Sequence, residues 1–512
     1  MSKKFELKAA DLRCVCDSKI FKFKNTTEIK PLDEVIGQKR AVQAIEFGLN
    51  MKSSGYNIFV TGVEGTGKST IVRELVSKHA QTLPKPDDWC LVNNFKDHFR
   101  PQAIAVPSGK AMPFSKKMNK FVEDLKKDLP KAFEGEGYLK RLSGIKSRFA
   151  DKQNRLFQKI DKSAARNNLQ IVKSGQEIET VPVIDGTPLT AEDYNKLPSD
   201  KKAAIEASIR RIQEQIELAS VEIDKLNQAL HLDVEKLMDE VTLAVVKNRL
   251  EKIRSEFKDS PGILGHLEKI EQDIVDNVQY FMPSDEGESK ENGIFRLPPN
   301  SNLQRYQVNA LTDREPAKGA PVIFETNPTY HNVMGRIEKR AYMGTVTTDF
   351  TMVKAGSLLN ANGGFLIMDM ESLMMNPYVW EALKRALQAK YLQIEDIAEE
   401  AGFGTVSLRP APIPLEVKVI LLGSYDAFEV LQNYDHRFNK IFKVRADFDY
   451  EVEKSADTVQ QYARFIARVC NEENLLPFTP KGVATIVEYG EKYVSDKNKL
   501  SIRFGPLLGV LK

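Results

Sequence analysis

The sequence predicts an α/β fold: a parallel-sheet core, interrupted by a long helical insertion and followed by a small α-helical C-terminal unit. Three observations predict it. The stretch "NIFVTGVEGTGKST" places glycines between an apolar, β-branched run and a helix start. A heptad stripe crosses a charged middle section, and short apolar runs bounded by turn residues return after it.

The glycine stretch carries the clearest chemistry. Ile58, Phe59 and Val60 read as a buried strand, and Gly62, Gly65 and Gly67 fit the turn that follows. Together with Val63, Glu64, Thr66 and Thr70, such a turn offers backbone N–H groups that ring a phosphate, with a helix dipole behind them. Lys68 is placed to reach β- and γ-phosphates as a point charge, and the Ser69 hydroxyl to take a coordination position on Mg²⁺. ATP and Mg²⁺ are the expected ligands.

With 512 residues the chain is long enough for about three domain-sized units. Lys and Arg number 74 against 71 Asp and Glu, and a net charge of +3 gives no field that argues for nucleic acid or a membrane surface. The start "MSKKFELKAADL" lacks an apolar signal core, and no window approaches 18 uncharged apolar residues, so a cytoplasmic protein with no membrane partner is expected. Four scattered cysteines, Cys14, Cys16, Cys90 and Cys470, suit reduced structural thiols better than a disulfide framework.

Five segments are expected. Residues 1–30 form an N-terminal segment, and 31–115 the first part of the core, in which "DWCLVNNF" reads as the next core strand. Residues 116–282 form the helical insertion. In it Ile205, Ile209, Ile212, Ile216, Ala219, Ile223, Leu226 and Leu230 step by four and three, the seam of a coiled-coil arm, with a small strand-and-turn cap at its tip. The acidic stretch "PSDEGESKENG" opens the second part of the core, 283–449, whose strand-like runs are "APVIFET", "GGFLIMDM" and "VKVILLGS". Residues 450–512 read as a helical lid.

In "GGFLIMDMES" a run that is apolar on both faces ends in Asp369, where a phosphate-loop protein holds its Mg²⁺ acid. Ser424 ends the run "VKVILLGS", where a polar group can sense a γ-phosphate.

These residues converge on a resemblance to the AAA+ ATPases. "EVIGQKRAVQAI", with Ile36, resembles the segment that packs on adenine, followed by Walker A, Walker B, a sensor strand and a helical lid. Within that superfamily "DWCLVNNFKDHFRPQAI", "NPTYHNVMGRIE", "TTDFTMVKAGSLLNANGGFLIMD" and "FNKIFKVRADFD" look like the Lon-protease-like group, over essentially the whole chain. The resemblance implies a homo-oligomeric, ATP-driven ring that unfolds proteins and feeds them to a serine–lysine peptidase domain. No nucleophile segment of that kind occurs here, so a motor lacking its peptidase is expected.

The resemblance also implies further roles. Arg503 in "LSIRF" would be the lid's sensor, and Arg437 in "YDHRFNKIFKV", with Lys440 as rival, would reach a neighbouring subunit's γ-phosphate. Tyr342, Met343 and Gly344 would be a pore loop gripping protein substrates, or else a hairpin whose tyrosine packs on its own domain. Met370 stands where most members carry the water-polarising glutamate. If the strand stays extended, Glu371 shares the side of Asp369 and replaces it; otherwise the site turns over slowly or serves as a nucleotide-gated scaffold. On the first alternative, Met370→Glu should change turnover little. "NVMGRIE…G…AGSLLNANGG" also resembles bacterial enhancer-binding activators, which leaves remodelling of nucleic-acid or transcription complexes as the rival function.

Overall fold

The computed structural model describes the chain apart from residues 1–5, 9–13, 33–35, 175–176, 185–186, 190–193, 195–197, 284–300, 315–318, 343–344 and 397–407. All but the first residue of "PSDEGESKENG" lies outside the described residues. The chain divides into two compact units, Met1–Lys116 with Gln307–Lys512, and Lys117–Tyr306.

The first unit begins with α1 (Lys39–Asn50), whose Ala41, Ile45 and Leu49 recur at helical spacing and are buried. Then come β1 (Ile58–Thr61), buried at every position, and α2 (Lys68–Ala80), which starts directly after the glycine loop. The pair β2 (Asp88–Val92) and β3 (Gln102–Val106) is antiparallel. After β3, α3 (Ala111–Glu134) starts.

The second unit is mainly helical. It pairs α4 (Glu136–Arg166) with a later helix of the same unit, and between them β4 (Leu169–Ser174), β5 (Glu177–Ile184) and β6 (Thr187–Pro188) make a small antiparallel sheet. That later helix, α5 (Ser199–Glu256), has 58 residues, roughly 87 Å at 1.5 Å per residue. Its expected seam is the less exposed stripe: Ile212 and Ala219 are buried, and Ile209 and Ile216 pack with them against Ile160, Ala164 and Leu169. Arg141 pairs with Glu240 at 2.6 Å, Arg148 with Asp233, and Gln153 with Asn227 at 2.7 Å, so partner numbers fall as α4 advances and the two helices run antiparallel. A shorter helix, α6 (Pro261–Asp276), starts with proline at its first position and packs on α5.

His266 on α6 is almost fully buried, and burial, aided by nearby Lys269, lowers its pKa to about 3. The unfolded chain therefore takes up this proton first as pH falls. Stability from the neutral imidazole is complete above the ordinary histidine pKa of about 6.5 and is lost progressively between there and pH 3. Between pH 6.5 and 5 the loss is on the order of 2 kcal/mol. His266→Leu should thus show a smaller drop in thermal midpoint from pH 7 to pH 5 than the parent, followed by helical circular dichroism; an equal drop would refute it.

The first unit resumes with β7 (Val308–Ala310), β8 (Val322–Glu325), the hairpin β9 (Arg340–Tyr342) and β10 (Thr345–Thr347), and β11 (Phe365–Asp369). Then follow α7 (Met370–Met374), α8 (Pro377–Ala389), β12 (Lys418–Gly423), α9 (Tyr425–Tyr434), α10 (Phe438–Ile441) and β13 (Val444–Asp447). β14 (Glu451–Glu453), α11 (Ala456–Glu473), α12 (Pro480–Val494), β15 (Lys499–Ser501) and α13 (Phe504–Leu511) complete it.

Five strands form one parallel sheet in the order β13-β1-β12-β11-β8. Its central strands are continuous apolar runs because both faces are covered. β2 does not join it. "DWCLV" lies instead in a separate antiparallel sheet, β3-β2-β7, so its expected place in the core sheet is corrected. Burial and β-propensity mark a strand but not the sheet that receives it.

The C-terminal helices pack around their own apolar cluster, which also takes in Cys16, Phe21, Leu32 and Ile36. Backbone bonds seat this N-terminal segment: Leu32 N donates to Arg464 O at 3.1 Å, and Thr26 N to Phe478 O at 3.0 Å. All four cysteines are free thiols. No described helix is long and apolar enough to cross a membrane.

Candidate functional site

The sheet's carboxyl end opens into a cleft of about 680 Å³. This is where open α/β sheets bind ligands, because strand ends and helix starts leave backbone groups free there. Its walls include Gly62, Val63, Glu64, Gly65, Gly67, Lys68, Ser69 and Thr70 from the glycine loop, Asp369 and Glu371 after β11, Ser424 after β12, and Arg503 before α13.

The loop's conformation explains its glycines. Gly67, at φ 80°, caps α2 in the left-handed region. At Gly62 a Cβ would sit 2.8 Å from that of Phe448, so no other side chain fits. Thr66 is buried and donates its hydroxyl to Val63 O at 2.9 Å; it braces the loop from inside and is not part of the cleft wall.

Lys68 Nζ donates to the carbonyls of Gly62 and Gly423, the latter at 3.0 Å. Burial lowers its pKa, while Glu371, Asp369 and Glu64 pull it back up. The ammonium is therefore held on two carbonyl oxygens, whose place an anionic triphosphate would take.

Asp369 ends β11 and caps α7, its Oδ2 accepting from Ser372 N at 2.8 Å. It lines the cleft and caps the helix at once. Because α7 starts at Met370, the extended strand that would align Glu371 with Asp369 does not exist. Glu371 reaches the cleft on the first turn of α7 instead, and its Oε1 accepts from Ser424 N at 2.8 Å. Met370 is fully buried in the core, against the place where a Cβ on Gly423 would stand. It does not face the cleft at all.

Ser424 caps α9, its Oγ accepting from Ala427 N at 3.1 Å. Arg503 Nε donates to Glu64 O at 3.2 Å, with the guanidinium over the Tyr493 ring at 5.4 Å, so the lid's arginine touches the phosphate loop. The hard oxygens of Ser69 and Asp369 suit Mg²⁺ and share the cleft with Lys68.

Other expected residues lie outside the cleft wall. Ile36 is buried in the lid's cluster, and the neighbouring Gln38 spends its side chain on the backbone of Asp449, accepting from its N–H at 3.1 Å and donating to its carbonyl at 2.8 Å. Arg437 and Lys440 are exposed and outside that wall, as a reach to a neighbouring subunit requires. Tyr342 ends β9 of the hairpin, while Met343 and Gly344 lie outside the described residues.

Gly423 was not singled out by sequence, yet its carbonyl receives Lys68. The signal was the glycine closing "VKVILLG": a Cβ there would approach the Phe59 ring to 2.9 Å.

A parallel five-stranded sheet, a glycine loop feeding α2, an acid at the end of β11 and a helical C-terminal unit together define an AAA+ ATPase module. The family model "LonB-like, AAA domain" matches residues 318–449, "Lon-like LonC helical domain" matches 88–121, and "Archaeal LonB, AAA+ ATPase LID domain" matches 477–512. The chain carries a Lon-like AAA+ module. No curated protein matches it. Among solved structures, NtrX from Brucella abortus is 13% identical over 38% of this chain and 39% of that one, at a TM-score of 0.24, a likeness on which no argument rests.

Proposed function

We propose that this chain is the ATP-hydrolysing motor of a Lon-like proteolytic system, unfolding protein substrates and threading them through a homo-oligomeric ring. The observation that carries the reading is the cleft, in which Lys68, Ser69, Asp369, Glu371 and Arg503 converge within one Lon-like AAA+ module. In this reading the loop's N–H groups and Lys68 hold the β- and γ-phosphates, Ser424 senses the γ-phosphate, and Arg503 closes the lid's side. Ser69 and Asp369 would hold Mg²⁺, which would supply positive charge against the phosphates. Glu371 takes the proton of the attacking water, and Arg437 of a second copy spreads the charge of the transferring phosphoryl group. Tyr342, Met343 and Gly344 grip the threaded chain.

Phosphate release tests this reading against action on nucleic acid. Turnover is expected with Mg²⁺-ATP alone and to rise when a permanently unfolded protein is added, with no salt-dependent response to duplex DNA. Stimulation by DNA that fades steeply with salt, and none by unfolded protein, would overturn it.

A further inference from the structure

Just ahead of Arg437 stands a group that the cleft does not use. Asp435 is mostly buried, and three donors converge on its carboxylate. Lys384 Nζ donates to Oδ2 at 2.6 Å, Trp380 Nε1 donates to the same oxygen at 2.8 Å, and the Arg437 backbone N–H donates to Oδ1 at 3.0 Å.

Lys384 is itself 4% exposed, on the inner face of α8; its other partner is Glu381, at 2.6 Å on the same helix. Burial works to raise the Asp435 carboxyl, but the Lys384, Arg437 and Trp380 hydrogen bonds outweigh it and hold the pKa below the ordinary carboxylate value. The group is thus an anion at neutral pH. Its loss would leave a buried ammonium with a single, half-solvated partner.

The residues after Arg437 are anchored as firmly as those before it. Phe438 and Phe442 flank α10, stack at 5.4 Å, and are buried; Trp380 stacks on Phe442 at 6.0 Å. The backbone of Arg437 is therefore pinned on both sides while its side chain is exposed. A long side chain pays rotamer entropy wherever it is ordered, so a fixed Cα shortens the search for a target outside its own subunit.

We infer that Asp435, gripped by Lys384 and Trp380, is the positioning residue that presents Arg437 to the nucleotide of a neighbouring copy. This rests on the trans role given to Arg437 above. α8 then carries the coupling: it follows α7, which Asp369 caps, and it bears Lys384 and Trp380, so the acid at one subunit's nucleotide and the grip on the turn that presents the arginine to the next subunit's nucleotide stand on consecutive helices. The strength of this coupling is set by how tightly Asp435 is held.

The test measures ATP turnover of Arg437→Ala, Asp435→Ala and Asp435→Asn, each alone and mixed with Glu371→Gln subunits, beside ATP binding by calorimetry and the thermal midpoint. Asp435→Ala should bind ATP as the parent does and turn over at least about tenfold more slowly, since an arginine acting in trans is worth far more than that. Asp435→Asn should lose much of the rate too, because its oxygen can still accept from the Arg437 N–H while its amide NH2 faces the two donors, Lys384 and Trp380, that gripped Oδ2. Mixing Asp435→Ala with Glu371→Gln should restore turnover, since the latter supplies an intact arginine to an intact site; a merely weakened fold would gain nothing.

Normal turnover in Asp435→Ala overturns the inference. So does a loss that mixing leaves unchanged while the loss in Arg437→Ala is restored. Full turnover in Arg437→Ala would instead remove the trans role and the inference with it. Should Asp435→Ala not fold, Lys384→Met carries the same comparison, because it removes the strongest donor to Asp435 and leaves the turn's own bond.

Discussion

Lys68→Ala is expected to abolish detectable Mg²⁺-ATP binding in a calorimetric titration at micromolar protein. Two effects add. The variant loses the one ammonium in the cleft that can pair with the β- and γ-phosphates, and truncating such a partner typically costs about 2–5 kcal/mol, on the order of 10²- to 10³-fold in affinity. It also leaves Glu371, Asp369 and Glu64, whose charges all act on Lys68, facing a triphosphate without the ammonium that offset them. The fold should survive, because Lys68 is the first residue of α2 and its bonds go to two loop carbonyls that water can satisfy. Unchanged affinity with an unchanged thermal midpoint would show that the triphosphate sits elsewhere.

The legible parts of this chain are those where local chemistry demands particular residue types. The glycine loop was readable because its φ angles and close contacts admit only glycine at set positions. The seam on α5 was readable because a helix pair buries every third or fourth residue, and the stripe from Ile209 to Ala219 is what the pair covers.

The misses have a common cause: they depend on distant partners. "DWCLV" looks like any buried strand, and its sheet was decided by pairing with β7, more than two hundred residues on. The grip on Asp435 joins side chains 51 and 55 positions apart, with no period to betray it. The end of β11 is different, for its signal was present. In "DMES" an aspartate stands three residues ahead of a serine N–H that it caps, a helix start that the apolar run before it masked.

That helix start changes the expected chemistry of turnover. Glu371→Gln should retain ATP binding and lower hydrolysis by about two orders of magnitude or more, the worth of a general base. The substitution isolates basicity from geometry, because a glutamine Oε1 can still accept from the Ser424 N–H that fixes this side chain at 2.8 Å. The companion variant, Met370→Glu, should not be the near-silent change that an extended strand implied. Met370 is fully buried among Leu373, Phe59 and their neighbours, so a carboxylate there is an unpaired buried charge costing on the order of 4 kcal/mol or more. Loss of thermal stability, with little folded protein left to assay, is the expected result. Normal hydrolysis in Glu371→Gln would assign the base to another group, and a stable Met370→Glu with faster turnover would mean that this side chain can swing from the core into the cleft.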